Sequence, residues 1–422
     1  MIKAWLSKTG KTQFTIYALV AAFGVYFCMY AYRKPFTAAS FDNKEILVIS
    51  QVIGYLISKF YGIKFISELE GDKRAYLILY LIGFAHLTLL AFAYIPDSVR
   101  QYDFILLFLN GLPLGVIWGI VFSYLEGRKF TEVLAAGLTM SFIISSGFVK
   151  SVGKGVMLNW GFDAYEMPFI SGLVFIPFLL LFVWMLSQIP PPSEDDVVLR
   201  AERKPMDAAR RRHFFSWFAP GLILLIVSYM VFTAYRDIRE TFANEIWKEL
   251  GITDPAIFTK TELPVGLLIG VVMAICFKIK DNIRAFKFYH LLVMAGLALI
   301  LFSTIGYRLG MVGPVYWMIL IGLGGYMAYV TFASVMFDRL MGAYSHGKGN
   351  AGFMIYVVDA CGYLGSVLIM LYKKYGQPDL NWYDFFLKGS MLISSVGIFL
   401  MACSYFYFHS KLAARPKLET SI

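Results

Sequence analysis

Charge is scarce in this sequence. Only 16% of its residues are charged, against 59% hydrophobic and 17% aromatic, and the 28 acids are outnumbered by 38 bases. Cysteine is scarcer still: Cys28, Cys276, Cys361 and Cys403 stand far apart in apolar runs, a spacing that implies neither a disulfide framework nor a zinc site. There is no His/Cys cluster with metal-ligand spacing, no nucleophile beside a base and no phosphate-cradling glycine loop, so the sequence points to no metal, no cofactor and no enzyme. Nor is any polar stretch long enough to fold as a soluble domain. What is present is apolar surface beyond the needs of a soluble chain of this size, which predicts an all-α polytopic membrane protein. In a soluble domain a net charge of +10 would suggest a nucleic-acid partner. Here a lysine and arginine excess in cytoplasmic loops accounts for it, and no nucleic acid is expected. The first apolar run is too long for a signal peptide and lacks a small-residue cleavage site, so it is expected to be retained as a span.

Twelve spans are predicted, at 13–38, 45–64, 75–95, 103–125, 132–157, 167–188, 215–240, 262–279, 286–306, 313–337, 350–372 and 384–408. With the N-terminus in the cytoplasm, the cytoplasmic loops collect Lys73, Arg74, Arg128, Lys129, the 200–212 cluster, Lys280, Arg284, Arg339, Lys348 and the basic tail. The opposite loops hold far fewer basic residues, among them Lys44, Arg100, Lys248 and Arg308, which predicts both termini inside. The stretch 189–213, with Pro190-Pro191-Pro192, an acidic run and Arg210-Arg211-Arg212, reads as a cytoplasmic linker between bundles at 1–188 and 214–410, with a tail at 411–422. The loop Gly71-Asp72-Lys73-Arg74 is matched by Lys280-Asp281-Asn282-Ile283-Arg284, as parallel repeats would leave it.

Polar groups inside apolar runs mark candidate sites, because a charge in hydrocarbon must face a cavity or a partner. Tyr26, Tyr30 and Arg33 fall at i, i+4 and i+7, which predicts one helix face carrying two phenols and a guanidinium. The alternative is that Arg33 and Lys34 snorkel from a helix end to the interface. Lys59 sits late in the second span, and Lys150 and Lys154 one turn apart in the fifth, where they are either cavity cations or interfacial anchors. Tyr229, Thr233, Arg236 and Glu240 share a face of the seventh span, with Asp237 and Arg239 beside them, and Arg236–Glu240 is an i, i+4 ion pair or half of a ligand site. Tyr356, Asp359 and Tyr363 share a face of the eleventh. Several cations and tyrosines around a cavity suit an anionic solute, and guanidinium offers a planar fork to carboxylate or phosphate oxygens. His86 and His290 are expected to be satisfied interior histidines, and Asn110, Gly111, Pro113 and Gly115 to kink the fourth span.

The six-plus-six pattern with a charged linker and matched loops resembles the major facilitator superfamily, whose loop signature is stretched here over Gly62, Glu68, Gly71, Asp72, Lys73 and Arg74. Within it, Tyr32-Arg33-Lys34-Pro35-Phe36, Tyr55-Leu56-Ile57-Ser58-Lys59-Phe60, and Ala351-Gly352-Phe353 followed by Gly362-Tyr363-Leu364-Gly365 resemble the organophosphate:phosphate antiporter branch. The resemblance implies two six-helix bundles, with Arg33 as the first-half arginine that binds a phosphoryl group and Lys59 as its neighbour. Arg236 is then the second-half arginine, Arg239 being the other candidate. The branch's helix-five histidine is replaced here by Ser145 and Ser146 with Lys150 a turn later, and Asp237 and Glu240 crowd the second arginine.

The expected function is therefore secondary active transport of a small organic anion or organophosphate by alternating access. Arg33, Lys59, Arg236, Tyr26, Tyr30, Tyr363 and Lys150 would bind substrate, and Asp359, Asp237, Glu240 and Arg239 would couple or pair charges. Two other readings stand beside it: proton-coupled transport of a neutral or zwitterionic solute, and a non-transporting sensor of the same fold. The expected setting is the bilayer of a cell membrane (the inner membrane in a bacterium), as a monomer, with proton or phosphate as coupling ion.

Overall fold

A computed structural model describes residues 2–67, 73–125, 131–191, 208–344 and 351–413. The loop motif at 68–72, most of the expected linker and most of the expected tail lie outside them. A short helix α1 (Ile2–Leu6) precedes α2 (Lys11–Tyr30), and after a 3-10 turn come α3 (Lys44–Ser67), α4 (Arg74–Ala93), α5 (Asp103–Leu114) and α6 (Ile117–Ser123). Next are α7 (Thr131–Trp160), α8 (Glu166–Ser187), α9 (Ala208–Thr241), α10 (Ala243–Glu249) and α11 (Ile257–Cys276). The chain ends with α12 (Asn282–Arg308), α13 (Pro314–Thr331), α14 (Phe337–Tyr344), α15 (Ala351–Leu371) and α16 (Trp382–Ala413).

Among the described residues, nine helical stretches are long and apolar enough to cross a membrane. The other three expected spans fall on α3, α7 and α15, each of which borders undescribed residues. Outward faces are apolar: α8 exposes Leu173, Phe178, Leu180, Leu181 and Trp184, and α16 exposes Leu392, Phe399 and Phe406. Apolar surface on that scale is covered by lipid. The chain is an all-α, multi-pass membrane protein.

The chain divides into two compact units. The first comprises 1–200 with 240–270, and the second 201–239 with 271–422. In the first, α2 packs on α7 and α8, and α4 on α5 and α8, while α3 lies along α5. That last approach is close because Gly54 faces the Phe108 carbonyl and Gly111 the Gln51 carbonyl, with no room for a Cβ on either side. Just beyond, α5 stops at Leu114 and the chain resumes as α6 at Ile117, the break expected from Pro113 and Gly115. Gly111→Val is expected to push α3 off α5 and to lower the thermal unfolding temperature in detergent, at a cost of about 1–3 kcal/mol or more. In the second unit α12 packs along α13 and α16.

Candidate functional site

The first unit's polar centre is built on the end of α2. The first span was expected to run as one helix to residue 38, but α2 stops at Tyr30. The next amides bond three residues back instead of four: Ala31 N–H to the Cys28 carbonyl at 3.0 Å, Tyr32 to Met29 at 3.1 Å, Arg33 to Tyr30 at 3.1 Å. Pro35, which has no N–H and cannot continue a helix, begins a 3-10 turn, Pro35–Ala38. Arg33 thus leaves from a tight turn rather than from the helix face it was expected to share with Tyr26 and Tyr30. Its guanidinium carbon lies 3.9 Å from the centroid of the Tyr55 ring, and the Lys59 ammonium lies 5.1 Å from the same centroid. Tyr55 is hydrogen-bonded to Tyr26, whose ring meets Tyr30 edge-on at 5.6 Å.

The sequence-predicted Arg33, Lys59, Tyr26 and Tyr30 therefore do gather, around Tyr55, which was not singled out as a site residue. A second layer holds the turn: Gln51 Nε2 donates to the Arg33 carbonyl at 3.2 Å and to Asn110 Oδ1 at 2.8 Å, and Asn110 Nδ2 donates to the Tyr32 carbonyl at 3.2 Å. Arg33 and Lys34 are each only 7% exposed, so the snorkelling alternative is set aside: both heads are buried in protein.

Lys34 forms an ion pair with Glu240 at 2.9 Å. Lys150 is buried as well, not an interfacial anchor, and donates to the Glu240 carbonyl at 2.8 Å. Glu240 thus pairs with Lys34, a partner not expected from the sequence, and Arg236 with the adjacent Asp237. Around the same corner Lys44 binds Glu245 at 2.7 Å and the Thr37 and Ala39 carbonyls, and Lys154 reaches Asn244 Oδ1 at 3.1 Å. Lys248 donates to the Ser40 hydroxyl at 2.7 Å. Lys44, counted from sequence as a loop cation, is buried.

The second unit's polar centre lies on α9. Arg236 donates through Nε (3.0 Å) and Nη2 (2.6 Å) to Asp237 Oδ1, and Ser366 Oγ donates to Asp237 Oδ2 at 2.7 Å. The Arg236 guanidinium carbon lies 3.8 Å from the Tyr329 centroid. Tyr329 stacks on Tyr229 at 5.5 Å, and the Tyr229 hydroxyl donates to Asp359 Oδ1 at 3.2 Å. Arg239, the other candidate arginine, is buried elsewhere, with Nη2 on the Met318 carbonyl at 2.9 Å. Tyr363 is buried in this unit, and the side chain of Tyr356 lies outside the described residues.

The two centres are variants of one motif. Tyr26-Phe27-Cys28-Met29-Tyr30-Ala31-Tyr32-Arg33 and Tyr229-Met230-Val231-Phe232-Thr233-Ala234-Tyr235-Arg236 agree at the first tyrosine and at Ala-Tyr-Arg. In each unit the arginine lies over a tyrosine from another helix, and that ring contacts the motif's first tyrosine. Charge then diverges: Lys34 follows the first arginine and Asp237 the second. The repeated Ala-Tyr-Arg was the sequence signal for this pairing, beyond the matched charged loops. A guanidinium stacked by its face directs its N–H edge sideways, where carboxylate or phosphate oxygens fit in plane. Asp237 already illustrates this on Arg236. The described residues hold no group of three or more metal-ligating side chains.

Residues 27–411 match DUF5690, a family of unknown function. The chain belongs to that family. No curated protein matches the sequence. Among solved structures, this DUF5690 chain is similar to a D-xylose-proton symporter, with TM-score 0.61, 13% identity and coverage of 93% of this chain and 97% of that one. It is also similar to a mutant of the peptide transporter POT in complex with alafosfalin (TM-score 0.60, 12% identity, 96% and 98% covered). A third is a POT family transporter in complex with 5-aminolevulinic acid (TM-score 0.57, 12% identity, 95% and 96% covered). At such identities the likeness speaks for fold, and the fold is that of the major facilitator superfamily. The proteins that share it here are transporters rather than enzymes.

Proposed function

We propose that the protein is a secondary active transporter of a small organic anion, working by alternating access, with Arg33, Lys59 and Arg236 as its anion-binding cations. The observation that carries this reading is the repeated motif that sets one arginine over a tyrosine in each unit. Charges are kept inside a membrane protein at a cost, and an arginine so placed in each unit is suited to a negatively charged ligand. Tyr26, Tyr30 and Tyr363 add hydroxyl donors, and Asp237 holds Arg236 until a substrate carboxylate or phosphate competes for it. Lys150 and Glu240, first considered for ligand and coupling roles, serve in this proposal to position the Lys34 corner.

The proposal includes six-helix bundles at 1–188 and 214–410, a cell-membrane location with cytoplasmic termini, a monomer, and antiport as in the organophosphate branch. A second reading, proton-coupled transport of a neutral or zwitterionic solute, is favoured by one observation: the second unit's acids Asp237 and Asp359 accept hydroxyl donors, and either could carry a proton. A thermal-shift series against phosphate, sugar phosphates, carboxylates and neutral sugars separates the two. A ligand at a hundred times its Kd stabilises the folded state by about 2.7 kcal/mol. Anions are expected to raise the melting temperature of the wild type and not of Arg33→Ala. A response to neutral sugars alone would sink the anion reading.

A further inference from the structure

The first unit contains a buried polar cluster that the transport proposal does not use. Tyr32, 1% exposed, presents a hydroxyl with no hydrogen-bond partner among the described residues. His86 on α4 meets the Tyr32 ring edge-on at 5.3 Å, and both its ring nitrogens are shielded and without a hydrogen-bond partner among the described residues. This overturns the expectation of a satisfied histidine, which holds for His290: its nitrogens bond the Phe286 carbonyl at 2.9 Å and Ser404 Oγ at 3.1 Å. Gly172 on α8 closes the group, since a Cβ there would strike both His86 Nδ1 and the Tyr32 ring. The preceding residue, Ser171, is fully buried, and its hydroxyl too lacks a partner among the described residues.

The internal repeat sharpens the anomaly. Tyr235 occupies the position of Tyr32 in the second copy of the motif, and its hydroxyl is bonded to Ser390 at 3.0 Å. Buried polar atoms are almost always hydrogen-bonded, to protein or to ordered water, and leaving several orphaned in one place is costly. A neutral imidazole offers one donor and one acceptor, and a phenol offers both. An anion would use only the donors and a cation only the acceptors. Water supplies two of each.

We infer that Tyr32 and His86, over Gly172, form an internal water-binding site in the first unit. It lies one residue from Arg33, and Asn110 ties the Tyr32 carbonyl to the network that also holds the Arg33 carbonyl. The bound water therefore supports the turn that carries Arg33.

X-ray radiolytic footprinting of the full-length protein in nanodiscs tests this, because hydroxyl radicals form where water is bound, even in the interior. Tyr32 is expected to be oxidised several-fold faster than Tyr235 and Tyr289, which are comparably buried but bonded to protein groups. Equal rates would overturn the site. His86→Phe is an independent check. If water bridges the ring, the melting temperature falls, because Tyr32 and the water lose a partner. If no water is bound, replacing an unsatisfied imidazole by a phenyl ring raises it.

Discussion

Glu240→Gln is expected to lower the stability of the detergent-solubilised protein by about 3–5 kcal/mol, because it leaves the Lys34 ammonium buried without its charged acceptor. Lys34 and Glu240 side chains are 9% and 5% exposed and 2.9 Å apart, so neither can turn to water. The loss belongs to the orphaned charge more than to the bond. Accordingly, the double variant Lys34→Met with Glu240→Leu, which replaces both partners by apolar side chains of similar length, is expected to recover most of the melting temperature. A double variant as unstable as Glu240→Gln would mean that the corner depends on Glu240 for something other than the pair. Lys150 remains on the Glu240 carbonyl in every variant, which keeps the backbone register fixed.

Asp237→Asn is expected to raise the apparent affinity for anionic solutes by about tenfold or more. In the wild type an incoming carboxylate or phosphate competes with Asp237 Oδ1 for two Arg236 donors, at 3.0 and 2.6 Å. Hydrogen bonds to charged groups are worth about 1.5–3 kcal/mol each, and 1.4 kcal/mol is a factor of ten. Asparagine retains an acceptor for Ser366 but not the charge, so the same variant is less stable without ligand and more strongly stabilised by it. Thermal shift against phosphate and carboxylates, read for both proteins, checks each half of the expectation. The proton-coupled reading predicts a different outcome: flux that no longer depends on a pH gradient, with anion affinity unchanged.

Membrane class, helical architecture and the gathering of Arg33, Lys59, Tyr26 and Tyr30 were legible because long apolar runs interrupted by single cations leave few folds and few faces. What was not legible depended on contacts between distant segments. Lys34 and Glu240 are far apart in sequence, so their ion pair left no local signature beside the i, i+4 spacing of Arg236 and Glu240. The switch from four-residue to three-residue hydrogen bonding after Tyr30 is set by Pro35 but has no periodicity signature, so Arg33 was placed on a helix face it does not occupy. Tyr55 and Tyr329, the rings under the two arginines, resemble the many other tyrosines of a membrane chain until their partners are known. The repeated Ala-Tyr-Arg, by contrast, was visible in the residues themselves and identifies the two positions that the structure treats alike.

The most direct measurement of the central claim is solute uptake into proteoliposomes containing wild type, Arg33→Ala or Arg236→Ala, with labelled phosphate, sugar phosphates and carboxylates outside and unlabelled anion inside. The account predicts exchange of at least one anion by the wild type and its loss in both variants, by at least tenfold. Wild-type rates in Arg33→Ala and Arg236→Ala, or flux restricted to neutral solutes, would contradict it.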